Sequence, residues 1–163
     1  MQATKDSFYI ALRDRLVAID PGRTVTLDGA TRPAIAVLEN EPANSGPPLC
    51  DTFYLHWGKS RLAGPAARNL MAIDCTISYC TGGSEQNNGQ DRGRDLTSLD
   101  SDLLAMCSPP HAAKCDYSTG SPEPLGTTIF WTEPVVNAAK SAPAYAGHEA
   151  AVTVFFYPEV KLP

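Results

Sequence analysis

Between Leu70 and Cys80 the sequence alternates without a break. Met71, Ile73, Cys75, Ile77 and Tyr79 fall on one parity, and Ala72, Asp74, Thr76, Ser78 and Cys80 on the other. Successive side chains of a strand point to opposite faces, so this stretch predicts a strand with one greasy and one wetter face. Its length suits the middle of a sheet better than an edge. A polar, glycine-studded loop follows, and Gly93 to Cys107 then predicts an amphipathic helix. Leu96, Leu99, Leu103 and Met106 are spaced 3, 4 and 3, which makes one apolar stripe. A strand followed by such a helix predicts that the helix lies on the strand's greasy face.

The rest of the chain supplies partners for this unit. Residues 4–19 predict a first helix with Phe8, Leu12, Leu16 and Ile19 on one side, stopped by Asp20-Pro21-Gly22. Thr24 to Leu27 is a short β-prone piece closed by the turn dipeptide Asp28-Gly29. Ala34 to Glu39 predicts a strand with Ile35 and Val37 on one face, and Glu39 to Pro48 a loop with three prolines. In Asp51 to Trp57 large rings occupy both parities, so this strand is expected to be covered on both sides, within the molecule or by a neighbouring subunit. Lys59 to Asn69 is expected as a connector, and Thr81 to Asp91 as a long polar loop. Leu125 to Thr132 and Ala150 to Tyr157 predict the last two strands. The Ala/Pro-rich segment between them, 133–148, is expected as a loop or a broken helix.

The predicted fold is α+β: a two-layer sandwich, mainly an antiparallel sheet with two main helices packed on one face. A chain of 163 residues suits one domain spanning 1–163, with loop insertions near 40–69 and 133–148. Its net charge of −5 argues against a broad basic surface for nucleic acid or anionic lipid. It does not exclude a protein that lets DNA pass without gripping it. No apolar run is long enough to span a bilayer, and Met1–Asp6 lacks a signal-peptide pattern. The expectation is a protein made and kept in a cytoplasm until it joins something larger. Five cysteines are an odd number with no repeated spacing, and Cys75 and Cys80 lie on opposite faces of one strand. Reduced thiols, several of them buried, are expected.

Few residues promise chemistry. Cys107, His111 and Cys115 offer soft ligands, but a structural zinc site normally takes four, and these three straddle Pro109-Pro110 without a Cys-x-x-Cys pair. A cysteine hydrolase needs a thiolate activated by histidine. His56 stands among aromatic residues, and Cys75 lies on the apolar parity. Asp95 suits the start of its helix, and Asp100 and Asp102 are expected on a solvated face. Gly82-Gly83 and Gly89 lack the Lys-Ser/Thr ending of a phosphate loop. No catalytic residue, metal ligand or cofactor is expected.

The opening helix at 4–19, RTVTLDGATRPAIAVLENE at 23–41, LMAIDCTISYC at 70–80 and the helix RDLTSLDSDLLAM at 94–106 form an ordered set. LGTTIFWT at 125–132 and AAVTVFFYPE at 150–159 complete it. In element order and pattern, across most of the chain, this set resembles the tail-terminator (tail-completion) proteins of long-tailed phages and phage-like injection devices. The resemblance implies a non-enzymatic subunit that forms a ring, usually of six, on the head-proximal end of the tail tube. Its expected partners are other copies of itself, the tail tube protein and a connector or head-completion protein. DNA would only pass through the pore, whose lining an acidic balance suits, and no membrane is involved. The expected location is the virion tail or a phage-like particle after assembly. The longer 40–69 segment and the 133–148 insertion depart from shorter members. Phe53, Tyr54, His56 and Trp57 are the expected subunit contact. Glu85, Gln86, Asn87, Asn88, Arg92 and Arg94 are expected to reach the tube or line the pore. The alternatives are a small binding module for an unknown ligand and, third, a small cysteine-dependent enzyme.

Overall fold

Two helices form where apolar side chains recur every three or four positions, and the computed structural model lays both on one sheet. It describes residues 1–39, 49–64 and 69–159; the segments 40–48 and 65–68, inside the expected 40–69 insertion, lie outside the described residues. Helix α1 (Gln2–Ile19) buries Phe8, Leu12 and Leu16, while Ile19 stays 43% exposed. The predicted stripe therefore ends one turn early, where the chain already leaves the sheet for the Asp20-Pro21-Gly22 turn. Helix α2 (Arg92–Met106) buries the four residues of its predicted stripe, Leu96, Leu99, Leu103 and Met106.

Strands β1 (Thr24–Leu27) and β2 (Ala30–Pro33) form a separate hairpin. Its turn residues Asp28 and Gly29 both have positive φ, the backbone that a tight two-residue hairpin turn requires. The main sheet contains β3 (Ile35–Val37), β4 (Phe53–Leu62), β5 (Met71–Thr81), β6 (His111–Asp116), β7 (Glu123–Trp131), β8 (Val135–Val136), β9 (Lys140–Ala142) and β10 (Tyr145–Phe156). Its order is β3-β4-β5-β10-β7-β6, with β8 and β9 also paired to β10. Pairing is antiparallel throughout except for β3 beside β4. The fold is thus α+β with both helices on one face of a mainly antiparallel sheet. The strand that dominates the sequence, β5, sits in the middle, with β4 on one side and β10 on the other along eleven register pairs.

Three segments differ from expectation. Strand β4 continues through residues expected as a connector, reaching Leu62 by a register shift between Trp57 and Ser60. Such a bulge lets a strand turn without losing its ladder. Residues 133–148 are not a broken helix, and only part of them is loop: β8 and β9 pair along the edge of β10 that β7 leaves free, and β10 itself begins at Tyr145. Strand β6 lies where the sequence pattern predicts no element, and it forms the sheet's far edge.

That edge is closed by side chains of α1. The Cys115 N–H donates to Ser7 Oγ at 2.9 Å, and Arg15 Nη2 donates to the His111 carbonyl at 2.7 Å. An edge strand with bonded backbone groups is a poor template for unwanted pairing. Arg15 Nη1 also reaches the carbonyls of Met106 and Pro109, so one guanidinium serves both the end of α2 and the start of β6. The core centres on Phe8, whose ring meets Trp57 of β4 edge-on at 5.7 Å and Trp131 of β7 at 5.0 Å. Both edge strands of the sheet also touch α1, so the sheet curls around that helix. Lys114 of β6 is buried; it donates to the Tyr157 carbonyl at 2.7 Å and pairs with Glu159, which the N-terminal ammonium also meets. Both ends of the described chain are held at one place.

Candidate functional site

The alternation in β5 leaves a second face. Ile73, Cys75, Ile77 and Tyr79 enter the core under the helices, together with Phe53 and Leu55 of β4 and Ala150, Val152, Val154 and Phe156 of β10. Residues of the opposite parity form the other side: Tyr54 and His56 on β4, Asp74, Thr76 and Ser78 on β5, and Glu149, Ala151, Thr153 and Phe155 on β10. Among the described residues no helix lies over this side. It carries a stacked ring pair, Phe130 of β7 on Phe155 at 5.2 Å, with Phe130 39% exposed. It also carries cross-strand polar pairs. Arg61 donates to Asp74 at 2.5 Å, Thr153 Oγ1 to the same carboxylate at 3.2 Å, and Lys140 pairs with Glu149 at 2.6 Å. Exposed pairs of this kind add little stability. Small and hydroxylated residues, Thr76, Ser78, Ala151 and Thr153, occupy its centre.

Of the four residues expected at a subunit contact, this face receives two. Tyr54 and His56 are half-buried on the open side. Phe53 is fully buried against Tyr79, with ring centroids 5.2 Å apart, and Trp57 turns inward to Phe8. The correction follows from strand parity: rings on both parities of one strand cannot serve a single surface. Phe130 and Phe155 are the aromatic residues that join Tyr54 on the open side. Phe155 lies on the parity of β10 opposite Val154, which enters the core.

His56 Nε2 lies 2.7 Å from Ser78 Oγ, a nucleophile–base distance. Burial lowers the His56 pKa, with Glu149 pulling the other way. Glu149, however, faces Ser78 from β10, on the side away from His56, and is tied to Lys140. The ladders on both sides of β5 occupy the backbone N–H groups that an oxyanion hole would need. The pair is a polar contact on the open side of the sheet.

The expected tube-contact loop is built, not loose. The Asp91 carboxylate accepts from the Ser84 N–H at 2.9 Å, from the Ser84 hydroxyl at 2.5 Å and from Asn87 Nδ2 at 2.8 Å. The Asn87 amide, the Ser84 hydroxyl and the Ser84 N–H hold this carboxyl well below the usual carboxylate range. Gly83, at φ +73, gives the loop its turn; a Cβ there would stand 2.7 Å from Asp91 Oδ1. Arg92 folds back, its Nε donating to the Gly82 carbonyl at 2.9 Å. Glu85, Gln86, Asn87, Asn88 and Arg94 are exposed, while Arg92 is half-buried and spent inside the loop. Five of the six expected residues therefore share one projecting tip or its shoulder.

The carboxylates of α2 are engaged, contrary to the solvated face expected for two of them. Asp100 Oδ1 accepts from Tyr79 Oη at 2.6 Å and lies 2.8 Å from His148 Nδ1. Asp102 binds Arg23 Nε at 2.6 Å. These partners come from β5, β10 and the start of β1, too far along the chain for local pattern to show. A cavity of about 300 Å³ lies beside them, lined by Arg23, Asp51, Thr81, Gly83, Ser84, Asp95 and Ser98. Among the described lining residues the one cation, Arg23, is already shared between Asp102 and Asp20.

Among the described residues no three His, Cys, Asp or Glu side chains converge on a metal site. Cys107 is buried at the end of α2, where its carbonyl accepts from Trp131 Nε1 at 2.9 Å; His111 is exposed on β6, and Cys115 faces Ser7. Burial pushes the thiols of Cys75 and Cys107 up to about 12, so both keep their protons at neutral pH. Among the described residues no helix is long and apolar enough to cross a membrane.

No protein-family model and no curated protein matches this sequence. One solved structure, of a protein whose name describes no function, aligns over 97% of both chains at 12% identity with a TM-score of 0.40. A likeness at that level says nothing about what the chain does.

Proposed function

We propose that this chain is a non-enzymatic structural subunit that assembles with copies of itself, as a ring on the tail tube of a phage or phage-like particle. The observation that carries the self-assembly is the open side of the sheet, with Tyr54, His56, Phe130 and Phe155 on it and no described helix over it. An antiparallel sheet often keeps one wet face, but stacked aromatic residues on that face favour contact with another protein surface. The position in a tail rests on the resemblance in element order, and the projecting 85–88 tip supplies a second, rigid surface for the tube. In a closed ring each subunit offers one surface and receives another, so the open side would pack against a different surface of the next subunit. Particle images by negative-stain electron microscopy and native mass spectrometry of the purified chain test this. Closed rings of one stoichiometry, six being expected, support it. A chain that stays monomeric over a wide concentration range, and does not cap tail tubes, overturns it.

The polar cavity beside Arg23 favours a second reading, a small-ligand binding module. Its two carboxylates, Asp51 and Asp95, and its hydroxyls suit a polar, hydrogen-bonding molecule. A strict monomer whose unfolding midpoint rises with such a ligand would favour this reading over the ring.

A further inference from the structure

Two sulfurs meet where the chain enters the sheet. Cys50 precedes β4 and is exposed; Cys80 lies near the end of β5 and is buried. Their Sγ atoms are 3.8 Å apart. The backbone enforces the approach. The Asp51 N–H donates to the Cys80 carbonyl at 2.6 Å, and Asp51 sits at φ 59, a left-handed conformation that turns the chain over the end of β5. A Cβ on Gly82 would stand 3.7 Å from Cys50 Sγ, so this sulfur rests on the strand end and does not wave in solvent. At 3.8 Å the two sulfurs are already in contact, and a disulfide requires them to close to about 2.05 Å.

We infer that Cys50 and Cys80 form a thiol–disulfide site, a dithiol that a small-molecule disulfide such as oxidised glutathione converts to an intramolecular bridge. The exposed Cys50 loses its proton and its thiolate attacks one glutathione sulfur. A mixed disulfide forms and one glutathione thiolate leaves. Cys80 then gives up its proton, attacks Cys50 Sγ, and the second glutathione departs. Two protein thiols and one glutathione disulfide become one protein disulfide and two glutathiones. The roles do not exchange, because burial and the neighbouring Cys50 raise the Cys80 pKa and keep that thiol protonated until the mixed disulfide stands against it. The other three thiols are poorer candidates: Cys75 and Cys107 are buried, and Cys115 is half-buried. The bridge ties the entry of β4 to the strand that leads directly into Gly82 and Gly83, so oxidation anchors the base of the Asp91 loop. This inference is independent of the ring.

The test is to incubate the folded, reduced full chain with oxidised glutathione, then measure intact mass and map peptides without reduction. The expected product has lost two hydrogens, carries a Cys50–Cys80 bridge, and reverts with dithiothreitol. Cys50→Ser, an exposed and conservative change, should abolish the bridge, and Cys75→Ser should leave it. A glutathione adduct that persists on Cys50, a bridge to any other cysteine, or loss of two hydrogens in the Cys50→Ser chain would each overturn the inference. So would a wild-type chain that shows no mass change at all.

Discussion

The two sides of β5 are one strand under two sets of rules. Toward the helices, Ile73, Cys75 and Ile77 touch packed neighbours on every side, and their contribution comes from apolar area removed from water. Toward the open side, Asp74, Thr76 and Ser78 meet cross-strand partners and remain half-buried. The first side determines whether the chain folds; the second is free to be used for something else. Substitutions should separate the two.

Phe8→Ala should have the largest effect. It empties the space between Trp57 and Trp131, and a buried Phe→Ala change costs about 3–5 kcal/mol; denaturant unfolding followed by tryptophan fluorescence measures it. Asp100→Ala should come next. It leaves Tyr79 Oη and His148 Nδ1 without their shared acceptor beneath α2, at a cost of about 1–3 kcal/mol in the same experiment. A loss as large as that of Phe8 would mean that the polar link matters as much as the apolar core.

The Asp91 loop lies between the two extremes and should respond to acid. The folded Asp91 carboxyl titrates below its unfolded value. Its contribution is therefore complete above the unfolded value, about 3.9, and is lost as pH falls through the folded one. Hydrogen exchange at the Ser84 and Asn87 amides, corrected for intrinsic rate, should stay slow down to about pH 4 and quicken only below it. Asp91→Asn should quicken both amides at neutral pH. Unchanged protection in that variant would show that Gly83 and the backbone turns hold the loop without the carboxylate.

Much of the covered side was legible in the sequence because it is periodic. The parity of β5 and the 3-4-3 stripe of α2 each follow from residues within a dozen positions. What escaped depends on distant partners or lacks a period. The His-Ala-Ala-Lys-Cys-Asp run of β6 does not alternate, and it becomes a strand because β7 and the Ser7 and Arg15 side chains of α1 satisfy its backbone. After Val135 and Val136 the residues to Ala142 have weak β preference, yet β10 offers the segment an unpaired edge. Asp100 and Asp102 read as solvated because Tyr79, His148 and Arg23 are remote in sequence. For the candidate site, the sequence showed large rings on both parities at 53–57, but only the position of the helices decides which of them face outward.

The smallest effect on folding, and the largest expected on assembly, belongs to Ala151, exposed on β10 beside Thr76 and Val135. Ala151→Arg should change monomer stability by no more than about 0.5 kcal/mol, while placing a charge in the middle of the open side. Sedimentation velocity of the wild-type and Ala151→Arg chains over the same concentration range is the most direct test of the account. The wild type should shift from monomer to a single larger species as concentration rises, and the variant should stay monomeric with an unchanged unfolding midpoint. A variant that assembles as readily as the wild type would contradict self-association through this side of the sheet.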